Sequence, residues 1–83
     1  MEIHNIDHVK SREDFVEFVG ALITDLFANK HEWENDRLDS YLEAISAWVQ
    51  DMDGYYLNAN KSLPENINWN VIAQIFLAAK YYE

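Results

Sequence analysis

The chain of 83 residues contains no cysteine and few bases. The absence of cysteine excludes disulfides, thiolate nucleophiles and cysteine-ligated zinc or iron–sulfur centres. Only six lysines and arginines stand against fifteen aspartates and glutamates, which gives a formal net charge of −9. Binding to nucleic-acid backbones or to anionic membranes requires basic side chains. We therefore expect neither nucleic acid nor a membrane as a partner.

Long hydrophobic runs and strand patterns are also missing. The longest mostly apolar run covers residues 71–79, which is far shorter than the roughly 20 residues of a membrane-spanning helix. The first eight residues are polar and acidic, unlike a signal peptide. No stretch of useful length alternates between polar and apolar residues. We expect a cytoplasmic protein that folds as a single helical domain over residues 1–83.

Apolar residues recur at helical spacing in three segments, about 12–28, 36–53 and 69–82. This spacing predicts an all-α fold, a small bundle of three long helices. One extra short helix fits around residues 30–34 or 55–58. Before the first helix, Ile3, Ile6 and Val9 stand at a spacing of three in a polar lead-in, which we expect to be extended or turn-like and to tuck these side chains under the bundle.

Each predicted helix has candidate residues for its ends. Ser11 opens a sequence that resembles a capping box, with aspartate in place of the usual glutamate. Asn35 or Asp36 is suited to cap the second helix, and Asn68 to cap the third. Gly54 is predicted to end the second helix in the left-handed conformation that glycine adopts easily.

The third helix is apolar almost all round, and two interpretations remain open. It is either the central, covered helix of the bundle or a helix that partly faces another subunit. The second interpretation predicts a homodimer through the apolar faces of this helix, which contain Trp69, Ile72, Phe76 and Leu77.

The negative charge is concentrated on the second helix and the residues before it, because residues 32–53 carry seven acids and one base. Asp51 and Asp53 would stand near the negative pole of a helix that ends at residue 53, where acids are unfavourable. Glu43 likewise has no local explanation. The face is either a solvated surface or a docking surface for a basic partner. Its polar row consists of Asp36, Asp39, Glu43, Ser46, Gln50 and Asp53.

Two neighbouring tyrosines follow Gly54 in a predicted loop. Tyrosine offers a large contact area and a hydrogen bond at little entropic cost, which suits an interface anchor; loop aromatics also cover the ends of small cores. We expect one ring to be buried and the other partly exposed. The candidate partner-binding residues are Glu43, Gln50, Asp51, Asp53, Tyr55 and Tyr56.

Metal binding and catalysis find little support in the sequence. The segment Asp51–Gly54 resembles part of a calcium loop, but Val49 and Asn60 stand where its first and twelfth ligands are required. His4 and His8 have ligand spacing without a third ligand nearby. No arrangement of nucleophile and base is recognisable. We expect no metal, no cofactor and no catalytic residue.

Several segments together resemble an uncharacterised bacterial family of short acidic proteins, described only as a domain of unknown function. The most specific of them is Asp-Met-Asp-Gly-Tyr-Tyr. The resemblance implies a bacterial origin and no known activity. The segments are residues 39–44, Trp48, residues 51–56, residues 64–66 and Trp69.

A looser resemblance of layout is to the immunity proteins of nuclease colicins. Those proteins are also short, acidic and helical, with an acidic second helix and a tyrosine pair before a loop and a last helix. This chain departs from them at Leu57, where they have proline. The resemblance implies an acidic protein-binding domain, an immunity-type inhibitor of a basic bacterial toxin. The alternative is a structural or regulatory helical domain that self-associates through the third helix.

Overall fold

The computed structural model describes residues 5–60 and 66–82. Over these residues the chain forms three α-helices and one short 3₁₀-helix, with no strand. No helix of the described part is both long enough and apolar enough to cross a membrane. The predicted all-α bundle with an extra short helix near residues 30–34 is confirmed. In chain order the elements are α1 (Arg12–Ala28), the 3₁₀-helix (Lys30–Glu32), α2 (Leu38–Asn58) and α3 (Trp69–Ala79).

The beginnings of α1 and α3 are capped as the sequence predicts. The Ser11 hydroxyl accepts a hydrogen bond of 3.1 Å from the backbone N–H of Asp14. In return the Asp14 carboxylate accepts from the backbone N–H of Lys10, which with the Ser11 hydroxyl lowers the pKa of that carboxyl. At α3 the Asn68 side chain accepts from the N–H of Val71 at 2.9 Å. These side chains satisfy amide groups that the first turn leaves without a helical partner.

The end of α2 differs from the prediction. The helix continues through Gly54 to Asn58, and no described glycine has a positive φ. The left-handed residue is instead Asn60, with φ 61°. Glycine inside a helix costs only about 1 kcal/mol relative to alanine, whereas burial of a large side chain such as Tyr56 contributes more. Tertiary packing therefore carries the helix past the residue predicted to end it.

Asn35 does not cap α2; it caps the end of α3. Its Nδ2 donates to the backbone carbonyl of Ala79 at 2.9 Å and to that of Tyr82, and its own N–H donates to the Lys80 carbonyl. Asp36 does not cap α2 either, because α2 begins at Leu38 after an N-cap residue that makes no side-chain capping bond. The bonds from Asn35 occupy carbonyls at and after Ala79. Ala79 is the last residue of α3, which ends three residues earlier than predicted.

The central helix of the bundle is α3. Both α1 and α2 pack against it, whereas no Cα atoms of α1 and α2 come within 8 Å of one another. Every residue from Val71 to Lys80 is buried or half-buried. The interpretation of α3 as the covered, central helix is therefore confirmed for the described residues. One buried core cluster joins the lead-in, α1, the linker and α3 through Ile6, Val9, Phe18, Leu22, Trp33, Ala73 and Leu77.

The lead-in tucks its apolar side chains under the bundle, as predicted. Ile6 and Val9 are buried, and Asn70 at the start of α3 donates to the Ile6 carbonyl at 2.7 Å and to the Val9 carbonyl at 3.3 Å. Residues 61–65, which include part of the 64–66 segment of the family resemblance, lie outside the described residues, as do Ile3 and the candidate metal ligand His4. The lead-in is thus attached to the central helix by both apolar burial and hydrogen bonds.

Candidate protein-binding groove

Three of the predicted partner-binding residues share one exposed face of α2. Glu43, Gln50 and Asp53 are all exposed and are spaced by seven and three positions, so the helical repeat aligns them along one side. Glu43 also borders a shallow cleft of about 280 Å³ between α2 and the C-terminal residues. This row is the acidic face that the sequence indicates.

Asp51 does not belong to that row. It accepts a hydrogen bond from the hydroxyl of Tyr82, and this bond raises the pKa of the tyrosine. Because α2 continues to Asn58, Asp51 and Asp53 point to different sides of a regular helix and do not form an acid–base pair. They also stand before the last turn, so the unfavourable dipole effect predicted for them does not apply.

The tyrosine pair lies in α2 rather than in a loop. The Tyr56 side chain is buried, with 8% of its surface exposed, whereas Tyr55 is half-buried. The Tyr55 ring lies 5.4 Å from the Trp48 ring and 5.1 Å from the Tyr56 ring. Burial, with a smaller effect of Tyr55, raises the pKa of Tyr56. Tyr56 is buried and Tyr55 is partly exposed, as expected. Of the two rings, only that of Tyr55 is accessible to a partner.

The described residues offer no group of three or more histidines or acids that is close enough to hold a metal ion. His8 and His31 are both exposed. The segment with the likeness to a calcium loop is part of regular α-helix, so its carboxylates cannot converge as loop ligands do.

A groove lies between α1 and the start of α2, and α3 forms part of its floor. It encloses about 290 Å³ and is lined almost entirely by apolar side chains. We call it the α1/α2 groove. Its walls are residues of α1 and α2, its floor includes Phe76 of α3, and Asn35, Asp36 and Arg37 stand at one end. The apolar lining residues are Val19, Leu22, Ile23, Leu26, Trp33, Leu38, Tyr41 and Phe76.

Two rows of exposed apolar side chains lie on the helices that line the groove, and Ile23 and Leu38 of these rows are part of its lining. On α1 they form a row at positions i, i+7 and i+11, which we call the α1 stripe: Val16, Ile23 and Phe27. On α2 they form a row at i, i+4 and i+11, which we call the α2 stripe: Leu38, Leu42 and Val49. All six are exposed, and the most exposed are Phe27 at 84% and Leu38 at 74%. A helix normally buries such a stripe against a neighbour.

The floor of the groove is held by fixed interactions. The Tyr41 hydroxyl donates to the backbone carbonyl of Phe76 at 2.7 Å, and burial raises the pKa of this tyrosine to about 12. The Trp33 ring lies 5.8 Å from the Tyr41 ring, and its indole N–H donates to Asp25 at 2.7 Å. A floor whose polar atoms are paired internally presents an apolar surface that needs no rearrangement to receive a ligand.

Acidic residues are exposed on both helices that line the groove, and Asp36 lies in the lining itself. Glu13 and Glu17 lie one turn apart on the solvent side of the α1 stripe, and both are exposed. Asp39 and Asp53 border the α2 stripe, and α2 contains no base. The base that lines the groove, Arg37, is paired with Asp39 at 3.3 Å on the surface.

The helical spacing of apolar residues predicted the first two helices but did not indicate that Phe27, Leu38 or Leu42 stays exposed. The available signal was the width of the apolar face of α2. Seven apolar positions, from Leu38 to Met52, cover more of the helix circumference than one neighbouring helix can bury. The sequence alone does not show which edge of so wide a face stays uncovered.

No curated protein and no solved structure matches the chain. A family match covers the part of the chain that holds all three helices and both walls of the groove. Residues 11–83 match the group described as Family of unknown function (DUF7660), and the chain therefore belongs to that family.

Proposed function

We propose that this protein is a noncatalytic protein-binding domain that recognises a basic partner through the α1/α2 groove and the exposed acids of α1 and α2. The observation that carries the proposal is an apolar groove of about 290 Å³ between α1 and the start of α2, which has the exposed side chains of Ile23 and Leu38 in its lining and further exposed apolar side chains on both helices. Exposed apolar surface bordered by polar residues is typical of protein interaction sites.

The charge of the chain supports a basic partner. The net charge is −9, and α2 carries four acids and no base. Such a surface accelerates the approach of a positively charged protein and repels an acidic one. In its most concrete form the proposal is an immunity-type inhibitor of a basic bacterial toxin. The partner is held by the groove and attracted by Glu43 and Asp53, and it meets Tyr55 as the accessible ring of the tyrosine pair.

The chemistry of the groove supports binding without catalysis. Its titratable lining groups are Asp36, Arg37 and Tyr41. The Tyr41 hydroxyl donates a hydrogen bond to a backbone carbonyl. Its pKa of about 12 is far from the range of a useful general acid or base. None of the lining residues is a serine, cysteine, histidine or lysine, which are the usual nucleophiles and bases.

Self-association through α3 is the alternative that the sequence raised. In the structure Leu77 is buried, Ile72 and Phe76 are half-buried against this chain's own helices, and Trp69 in the first turn is exposed. Apart from Trp69, little of the α3 surface is left for a second copy. We therefore favour the basic partner, and sedimentation at micromolar concentration tests the alternative, which predicts a dimer.

The test combines capture with kinetics. A photo-crosslinking residue replaces Leu42, beside the groove, and in a matched control it replaces Thr24, which is exposed on the far side of α1. Capture from Leu42 and not from Thr24 identifies the partner. Association of the purified pair is then measured at increasing salt, with Glu43→Gln and Asp53→Asn, and with Asp7→Asn as the control for an acid outside α1 and α2.

The expected result is a basic partner whose association slows with salt. Glu43→Gln and Asp53→Asn lower the association rate and flatten its salt dependence, while Asp7→Asn changes neither. An acidic partner, or an association rate that is unchanged at low salt when the α2 acids are removed, contradicts the proposal. Loss of binding in Tyr56→Ala is not counted as evidence, because this buried ring also supports the fold.

A further inference from the structure

We infer that the α1/α2 groove receives one amphipathic α-helix of the partner, with its apolar face between the two stripes and lysines or arginines along both edges of that face. This inference rests on the proposed function and names the element that the partner contributes. It specifies a recognition mode in which a helix lies in a groove and anchors through apolar residues at helical spacing.

The arrangement of the three helices leaves an open position for a fourth helix. Since α1 and α2 both pack on α3 while their Cα atoms stay more than 8 Å apart, the space above α3 is bounded by two helices and a floor. In a four-helix bundle a further helix occupies such a position and buries the facing stripes of its neighbours. Here both stripes are present, and the position is open.

The dimensions of the stripes fit a short helix. From Val16 to Phe27 the α1 stripe covers eleven steps, which at 1.5 Å per residue is about 16 Å, or three turns. The α2 stripe from Leu38 to Val49 covers the same number of steps. A partner helix of three to four turns therefore spans both stripes. The apolar side chains that would contact it are exposed, among them Ile23 at 53% and Leu42 at 55%.

Charge decides between a basic partner helix and a second copy of this chain. Both helices beside the groove carry exposed acids: Glu13 and Glu17 on α1, Asp39 and Asp53 on α2, and Asp36 in the lining at one end. The bases at the groove already have acidic partners: Arg37 in the lining is paired with Asp39, and Lys80 beside Trp33 is paired with Asp25. A helix from another copy carries acids to these acidic helices, because both α1 and α2 contain four acids each. Lysines and arginines on the incoming helix instead complement the acids of both helices.

The probe for the test is a synthetic 14-residue peptide with leucines at helical spacing and lysines at all other positions. Two control peptides keep its length: one replaces every lysine by glutamate, and the other has the same composition in an order without helical spacing. Affinity is measured by calorimetry, and the binding site is mapped by the NMR shifts of the methyl groups of Ile23, Leu38 and Leu57.

We expect the leucine–lysine peptide to bind at least tenfold more tightly than either control and to shift the methyl groups of Ile23 and Leu38. Leu38→Ser and Ile23→Ser should each weaken binding about tenfold or more, as loss of an anchor does. Leu57→Ser is the matched control, because Leu57 is an α2 leucine of similar exposure, 77%, that does not line the groove. It should leave the affinity unchanged.

Three outcomes overturn the inference: equal binding of the leucine–glutamate peptide, equal effects of Leu38→Ser and Leu57→Ser, or a dimer of the free protein that Leu38→Ser dissociates. The same variants are then applied to the captured partner. Binding that depends on Glu43 and Asp53 but not on Leu38 overturns the inference and leaves the proposed function standing. A captured partner that is acidic contradicts both.

Discussion

The Nζ atom of Lys80 lies 2.8 Å from Oδ2 of Asp25, and the Lys80 side chain is 99% buried, since only 1% of it is exposed. The pair joins the end of α1 to the residue that follows α3. Asp25 also accepts hydrogen bonds from Asn29 at 2.9 Å and from the indole of Trp33 at 2.7 Å. The ammonium group lies 5.4 Å from the centre of the Trp33 ring. The ion pair therefore holds Trp33 in place, and with it the floor of the α1/α2 groove.

Removal of one charge of this pair is expected to destabilise the fold strongly. Asp25→Asn leaves the buried Lys80 ammonium without a counter-charge, a situation that typically costs about 3–5 kcal/mol. Lys80→Met should cost less than Asp25→Asn, because the carboxylate keeps two of its donors. Urea unfolding of both single variants and of the double variant gives the coupling energy. Strict additivity of the two changes, or a loss below about 0.5 kcal/mol in Asp25→Asn, would show that the pair does not act as a unit.

The same pair predicts a loss of stability in acid. Burial raises the pKa of Asp25, but hydrogen bonds from Lys80, Asn29 and Trp33 outweigh it and lower the pKa to about 2. In the unfolded chain an aspartate has a pKa of about 3.9, so the unfolded state binds the proton first as pH falls. The contribution of Asp25 is therefore complete above pH about 4, and about 2 kcal/mol is lost as pH falls from about 4 to about 2.

The measurement is the free energy of unfolding against pH for the wild type and for Asp25→Asn. We expect the difference between the two proteins to be constant from pH 7 to about 5 and to shrink below about 4. For Lys80 the contribution to stability has the opposite pH dependence, because it is lost as pH rises rather than as pH falls. Burial lowers its pKa, but the hydrogen bond to Asp25 outweighs this and raises it, so its contribution is lost only as pH rises through that raised value. A difference that does not change between pH 5 and 2 contradicts the assignment.

Gly54 lies inside α2, where a Cβ atom would meet nothing within 4 Å. Alanine is the better helix former, so Gly54→Ala should stabilise the protein by about 0.5–1 kcal/mol. Gly20→Ala, at an equally open position in α1, is the matched comparison and should behave alike. Thermal unfolding distinguishes the structure from the sequence prediction, because a left-handed Gly54 would make the alanine variant less stable.

Asn35 and Asp36 were equivalent candidates in the sequence but should respond differently to mutation. Asn35→Ala removes two side-chain bonds to carbonyls at the end of α3, which we expect to cost about 1–3 kcal/mol. Asp36→Ala removes an exposed side chain that does not cap α2, and it should change stability by less than about 0.5 kcal/mol. Equal effects of the two variants in urea unfolding would argue against the cap on α3.

The features that the sequence predicted correctly depend on local interactions. The start of α1 at Ser11 and the start of α3 at Asn68 depend on bonds within three residues of the cap. The helical spacing of apolar residues likewise predicted three helices but left open whether the third is covered within the bundle, and the excess of acids identified the exposed row that contains Glu43 and Asp53.

The features that the sequence did not predict depend on contacts between residues that are far apart in the chain. The burial of Tyr56 extends α2 past Gly54, and Asn35 ends α3 rather than starting α2. Apolar periodicity shows which side of a helix avoids water, but not how many neighbours come to cover it. The α1/α2 groove therefore follows only from the packing of both helices on α3, which keeps all Cα atoms of α1 more than 8 Å from those of α2.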